Sequence, residues 1–144
     1  MTRMSTITFE QNFSVPRDMV WQYLTELPHI KKWWFSQIRA FESRVGFQTR
    51  FTVNYEGEKY VHLWEVLESI PQEKLVLDWR YANYPGKAYA QFELQSTPSG
   101  SLLTFTSDVL EFFPNHKVFS RASMLNGWKT LLQERLPEYV QKNN

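Results

Sequence analysis

Three histidines, His29, His62 and His116, are the only imidazoles in the chain, and none stands at the H-x-x-x-H or H-E-x-x-H spacing that puts two ligands on one helical face. There is no cysteine, so thiolate ligands and thiolate nucleophiles are excluded, and no metal site is expected. A hydroxyl nucleophile needs a base beside it, and no G-x-S-x-G turn presents one. No glycine-rich loop offers backbone amides to a phosphate, and no cofactor is expected. No residue is therefore assigned a catalytic role. Any proton transfer would fall to His62, Glu65, Asp108 or the tyrosine hydroxyls.

Of these, His62 stands mid-strand beside Trp64. Turned inward it would be a polar group within apolar surroundings and a ligand partner, since imidazole can donate or accept near neutral pH. The phase of the stretch is ambiguous, because Tyr60, His62, Trp64 and Val66 compete with Val61, Leu63 and Leu67 for the dry face, which favours an outward, solvated histidine. A bulge would reconcile the two sets. Glu65 and Asp108 are expected at the surface, because an unpaired buried carboxylate is costly, and His116 is expected there too.

Rings outnumber these polar candidates. Phe, Trp and Tyr make up 17% of the chain, with 6 Trp and 11 Phe, more than a plain core of this size needs. Phe51, Trp64, Trp79, Phe92, Phe105 and Trp128 converge if the parities below hold. With His62, Ser107 and Met124 they form the expected ligand-binding set, against the competing expectation that the rings simply fill the core. Trp33, Trp34 and Phe35 would form a lid or an exposed apolar patch, again with core packing as the alternative.

The elements that would position these residues follow from hydrophobic period. Between Ser5 and Phe13, Ile7, Phe9 and Phe13 share one parity, which predicts a half-buried strand. Ser14 and Pro16 supply a helix start, as cap and first-turn proline, for a helix from about Pro16 to Leu24, and a second helical turn is predicted through His29 to Trp34. Beyond Phe35, alternation broken by Gly46, Gly57, Pro71, Pro85-Gly86 and Pro98-Ser99-Gly100 predicts five or six antiparallel strands. Phe47, Thr49, Phe51, Val53 and Tyr55, then Leu75, Leu77, Trp79 and Tyr81, then Ala90, Phe92 and Leu94, then Leu103, Phe105 and Ser107 mark inward parities. Met124, Leu125, Trp128, Leu131, Leu132 and Tyr139 form the stripe of one long helix starting near Pro114-Asn115, and Pro137 should kink or end it near Leu136.

This order, together with Val20-Trp21-Gln22-Tyr23-Leu24-Thr25, Lys32-Trp33-Trp34, Leu75-Val76-Leu77-Asp78-Trp79, the run from Gly100 to Ser107, and Gly127-Trp128 with Leu131-Leu132, resembles the START-like SRPBCC superfamily. Within it the chain is most similar to the family related to the C-terminal domain of the heat-shock-protein-ninety ATPase activator. The resemblance implies an α+β helix-grip fold in one domain over residues 1–144. A curved antiparallel sheet of six to seven strands would wrap a long C-terminal helix, with two short helices after the first strand and often a cavity between helix and sheet. Many relatives carry His where this chain has Ser107.

A single domain suits 144 residues. Sixteen Lys plus Arg against fifteen Asp plus Glu leave a net charge of +1, which gives no polyanion surface, and nucleic acid is not an expected partner. No apolar run approaches the roughly 18 residues of a membrane span, and the first ten residues lack the apolar stretch of a secretory signal, so a cytoplasmic location is expected. The leading functional reading is non-enzymatic binding of a small hydrophobic or aromatic molecule in the cavity. The resemblance supplies two others: a co-chaperone-like domain with a chaperone partner, and a cyclase or hydrolase acting on a hydrophobic substrate. Chaperone activation itself is not carried over, because the activator's N-terminal domain has no counterpart in these residues. A homodimer through an edge strand or the Trp33-Trp34-Phe35 cluster is the remaining partner expectation.

Overall fold

In the computed structural model, which describes residues 6–143, the elements run β1 (Ile7–Phe13), α1 (Arg17–Thr25), α2 (Leu27–Trp33), β2 (Gln48–Tyr55), β3 (Glu58–Ile70), β4 (Lys74–Tyr81), β5 (Tyr84–Thr97) and β6 (Gly100–Glu111). A 3₁₀ turn (Lys117–Phe119) leads into α3 (Arg121–Lys129), a π-helical segment (Thr130–Arg135) and α4 (Leu136–Asn143), which together form one uninterrupted rod. The strands make a single antiparallel sheet in the order β1-β6-β5-β4-β3-β2. This is the expected α+β helix-grip architecture with six strands. Ser5, taken as the start of the first strand, lies outside the described residues.

Period-2 burial explains the sheet. Ile7 and Phe13 on β1, Leu75, Leu77 and Trp79 on β4, Ala88, Ala90, Phe92 and Leu94 on β5, and Leu103, Phe105 and Ser107 on β6 all face the concave side. The ambiguous β3 resolves in favour of Tyr60, His62, Trp64 and Val66, which are buried, while Leu67 is exposed. The reconciling bulge falls between Val66 and Glu68, opposite Leu77 and Val76. Tight turns fix the register. Glu56 and Gly57 both adopt positive φ between β2 and β3, the geometry whose twist matches that of a hairpin. Gly100 opens β6 at φ +153°, where a Cβ would lie 2.1 Å from the Phe13 carbonyl oxygen, so only glycine lets the β5–β6 hairpin pass beneath the end of β1.

The convex face departs from expectation at Asp108. Its neighbour Ser107 faces inward, so Asp108 faces away from the helix, yet it is buried. Thr6 Oγ1 donates to its Oδ1 at 3.0 Å, giving the carboxylate the partner that makes burial tolerable. Glu65, on the same face, is half-buried and accepts from Gln48 Nε2 at 3.1 Å.

Three helix boundaries also differ from the sequence reading. Ser14 does not cap α1; Pro16 takes the N-cap position, and its carbonyl accepts from Met19 and Val20. The last helix begins not at Pro114-Asn115 but at Arg121, where Ser120 Oγ accepts from the Ser123 amide at 3.1 Å. Pro137 does not end it. The turn before Pro137 is widened, with the Leu136 amide bonded to the Leu131 carbonyl five residues back, so the backbone adapts to the missing donor and continues to Asn143.

That wide turn also straightens the apolar stripe. Met124, Trp128, Leu132, Leu136 and Val140 recur every fourth residue, and in an ideal α-helix such a row would wander about 160° round the axis over its length. Accommodating roughly one extra residue in the π segment recovers about 100° of this. The row therefore stays directed at the sheet, and its last three members are buried.

Candidate functional site

The rod docks unevenly. Leu132, Leu136 and Val140 are buried in the core, but α3 contains no buried residue and stands off the sheet. Below it the concave face carries the small side chains Ala88, Ala90 and Ser107, with Ala90 paired to Ser107 across β5 and β6. One row further on, the large pair Phe92 and Phe105 closes the space. Small residues on the sheet opposite a raised helix leave a cavity of about 490 Å³.

Its walls come from every layer. His62, Trp79 and Tyr81 contribute from β3 and β4, Met124 and Trp128 from α3, Phe35 from the segment after α2, and Phe113, Val118 and Phe119 from the connection between β6 and the rod. Arg135, the one formally charged side chain on the wall among the described residues, is exposed and donates to the Trp34 carbonyl at 3.3 Å. Trp128 reaches from the rod to the sheet, its ring 4.3 Å from Phe105 and 5.2 Å from Trp79.

Of the residues singled out from sequence, His62, Trp79, Ser107, Met124 and Trp128 line this cavity. Phe51, Trp64, Phe92 and Phe105 do not line it: they are buried in the surrounding core. Trp33 and Trp34 form neither a lid nor a surface patch. They are 1% and 2% exposed, stack at 4.9 Å, and Trp33 Nε1 donates to the Tyr23 carbonyl at 2.7 Å. Burying two indoles stabilises the core by far more than displaying them would, which is why only Phe35 of this trio reaches the cavity.

His62 is not the solvated strand residue that ambiguity favoured. It is 5% exposed, stacked on Phe51 at 4.8 Å, and edge-on to Tyr81 at 4.7 Å. Its Nδ1 lies 3.0 Å from the Tyr60 carbonyl, an acceptor only, so Nδ1 carries the proton and Nε2 is left with a lone pair. Burial among rings disfavours the imidazolium and lowers the pKa to about 4, opposed only by that carbonyl. Tyr81, paired with His62 across β3 and β4, accepts from Trp79 Nε1 at 3.0 Å. Burial raises its pKa to about 12, so the phenol keeps its proton.

At the cavity's outer end Glu58 holds the wall together. Its Oε2 accepts from the Tyr84 hydroxyl at 2.9 Å and the Tyr60 hydroxyl at 3.2 Å, and lies 2.8 Å from His116 Nε2. Donation by Tyr84, and then by His116, lowers the Glu58 pKa. His116 is thus half-buried and engaged rather than a free surface residue. Gly86 at φ +114° lets the Phe113 ring lie against the backbone, since a Cβ there would come within 2.3 Å of it.

Sequence reasoning placed Tyr81 on the same parity as Trp79 but left it out of the ligand-binding set, and it missed the alanine floor and the 113–119 wall. The floor had a signal, a change from Ala88 and Ala90 to Phe92 along one parity of β5. The wall had none, because it is irregular chain held by tertiary contacts.

Residues 14–141 match the family described as "Activator of Hsp90 ATPase homolog 1-like protein". The chain belongs to this family. As the sequence motifs implied, it is a START-like SRPBCC domain, and solved structures repeat its fold. Protein CV1439 from Chromobacterium violaceum superposes with a TM-score of 0.79 at 17% identity, over 95% of this chain and 97% of that one. Protein MLL2253 from Mesorhizobium loti gives 0.77 at 23% identity, over 96% and 98%. DynU16, from the dynemicin biosynthetic locus, gives 0.76 at 19% identity over 97% of this chain, which spans 48% of DynU16. No curated protein matches. Among the described residues no helix is long and apolar enough to cross a membrane.

Proposed function

We propose that this domain binds a small hydrophobic or aromatic molecule, without chemical turnover, in the cavity between the sheet and α3, and that it acts in the cytoplasm. The observation that carries the reading is the raised helix over a floor of Ala88, Ala90 and Ser107: an interior that could have packed shut keeps about 490 Å³ open and lines it with rings. Apolar burial drives affinity at about 25 cal/mol per Å², enough for a bicyclic aromatic to gain several kcal/mol before ordering costs. Binding rather than catalysis is supported by the buried titratable groups on the wall, His62, Tyr81 and Tyr60, the last raised to about 12 like Tyr81. A histidine near 4 is too weak a base, and a tyrosine near 12 too weak an acid, to exchange protons efficiently at neutral pH.

Thermal shift and tryptophan fluorescence against a panel of flavones, polyketide-like polycyclic aromatics and fatty acids test the reading, since Trp79 and Trp128 lie on the wall. Binding by the native chain that is lost when Ala90→Leu fills the floor supports it. Silence across the panel, or undiminished binding by Ala90→Leu, overturns it.

A further inference from the structure

The proposed cavity offers two complementary polar positions on one patch of its wall. His62 and Tyr81 are cross-strand partners with ring centroids 4.7 Å apart, and both line the open volume. His62 Nδ1 is committed to the Tyr60 carbonyl, which leaves Nε2 an acceptor with no hydrogen-bond partner among the described residues. The fully enclosed side-chain atoms without partners, among the described residues, are Trp34 Nε1, Trp64 Nε1 and Asp78 Oδ1. His62 Nε2 is not one of them, so the small surface this residue retains faces the cavity. The Tyr81 oxygen already accepts from Trp79 Nε1, and its own proton has no acceptor among the described residues. One acceptor and one donor thus stand side by side among rings, with no charge of their own.

Resting on the cavity reading, we infer that the ligand is a neutral aromatic bearing a hydroxyl, a phenol or enol, seated with its O–H donating to His62 Nε2 and its oxygen accepting from the Tyr81 hydroxyl. A hydroxyl is the smallest group that satisfies both at once. A carboxylate would face the unshared pair of Nε2 in a site that resists imidazolium formation, whereas the exposed Arg135 offers it only a solvated partner at the rim. Burial of Tyr81 keeps its donor proton in place at any physiological pH.

The test compares 2-naphthol with naphthalene, 2-methoxynaphthalene and 2-naphthoate by fluorescence titration and calorimetry on the native chain, so that no variant need fold. 2-Naphthol is expected to bind about tenfold or more tighter than naphthalene or the methyl ether, the effect of leaving a desolvated donor or acceptor unpaired. In His62→Phe and in Tyr81→Phe that preference should fall to within about threefold while naphthalene still binds. Equal affinities for 2-naphthol and naphthalene, or tightest binding of 2-naphthoate, would overturn this inference and leave the cavity reading standing. Failure of all four probes to bind would overturn both.

Discussion

Lowering the pH tests the interior placement of His62 without any ligand. In the unfolded chain its imidazole takes up a proton as the pH falls through about 6.5, whereas in the folded domain burial delays uptake to about 4. Between these values the unfolded state holds more protons, so stability declines with falling pH; above the window both states are neutral and the group contributes no slope. The separation between about 6.5 and about 4 corresponds to about 3 kcal/mol, fully expressed below pH 4 and largely so by pH 4.5. Urea unfolding at intervals from pH 7.5 to 4.5 would measure it, with His62→Phe as the reference. Phenylalanine preserves a ring against Phe51 and forfeits the bond to the Tyr60 carbonyl, a constant offset of about 1 kcal/mol that leaves the slope untouched. Every other ionisable side chain is common to both proteins, so its contribution cancels in the difference. The native chain should lose about 2 to 3 kcal/mol more than the variant across the window. Parallel curves would refute the assignment of a desolvated, neutral imidazole.

Four further expectations concern local structure. Gly127→Ala should stabilise the domain by up to about 1 kcal/mol in thermal or urea melts, because a Cβ at this helical position meets nothing within 4 Å and alanine is the better helix former. Gly100→Ala should cost about 1–3 kcal/mol by the same measurement, since it combines an unfavourable φ with a collision against the Phe13 carbonyl oxygen. Removing the N-cap with Ser120→Ala should cost about 1 kcal/mol, and Ser120→Asn should restore most of it. Glu58→Gln should raise hydrogen-exchange rates selectively in residues 116–119, with those in α4 unchanged, because it removes the charge that holds His116 and the two tyrosines.

Period and turn chemistry carried most of the fold. Alternation on β2, β4, β5 and β6 needed only one choice of parity per strand, and glycine positions marked the turns that set it. β3 resisted because both of its parities are apolar, and its outcome depended on a bulge at Leu67 that only the pairing with β4 defines. At the candidate site, rings were legible as inward-facing but not as wall or filler. Phe105 and Trp79 share the same kind of inward strand position, and what separates them is how completely the Trp128 ring and its neighbours cover each one, Phe105 being 0% and Trp79 9% exposed. That depends on the sum of volumes across the layer, a tertiary quantity. Asp108 was misplaced for a related reason: its partner Thr6 lies about a hundred positions away in sequence, so the cost of burying it could not be offset on paper.

The widened turn ahead of Pro137 gives the rod something akin to a reading frame. Restoring ordinary helical pitch at positions 130–135 without removing a residue would swing everything downstream by about 100°, carrying Leu136 and Val140 off the sheet and bringing polar neighbours in their place, whereas removing one residue together with the wide turn would leave their aim unchanged. In the first case alone the carboxyl-terminal anchor would be lost while the residues over the void kept their aim. Insertion of one residue in this short stretch should therefore be far more damaging than deletion of one, although nothing in its own side chains announces that asymmetry.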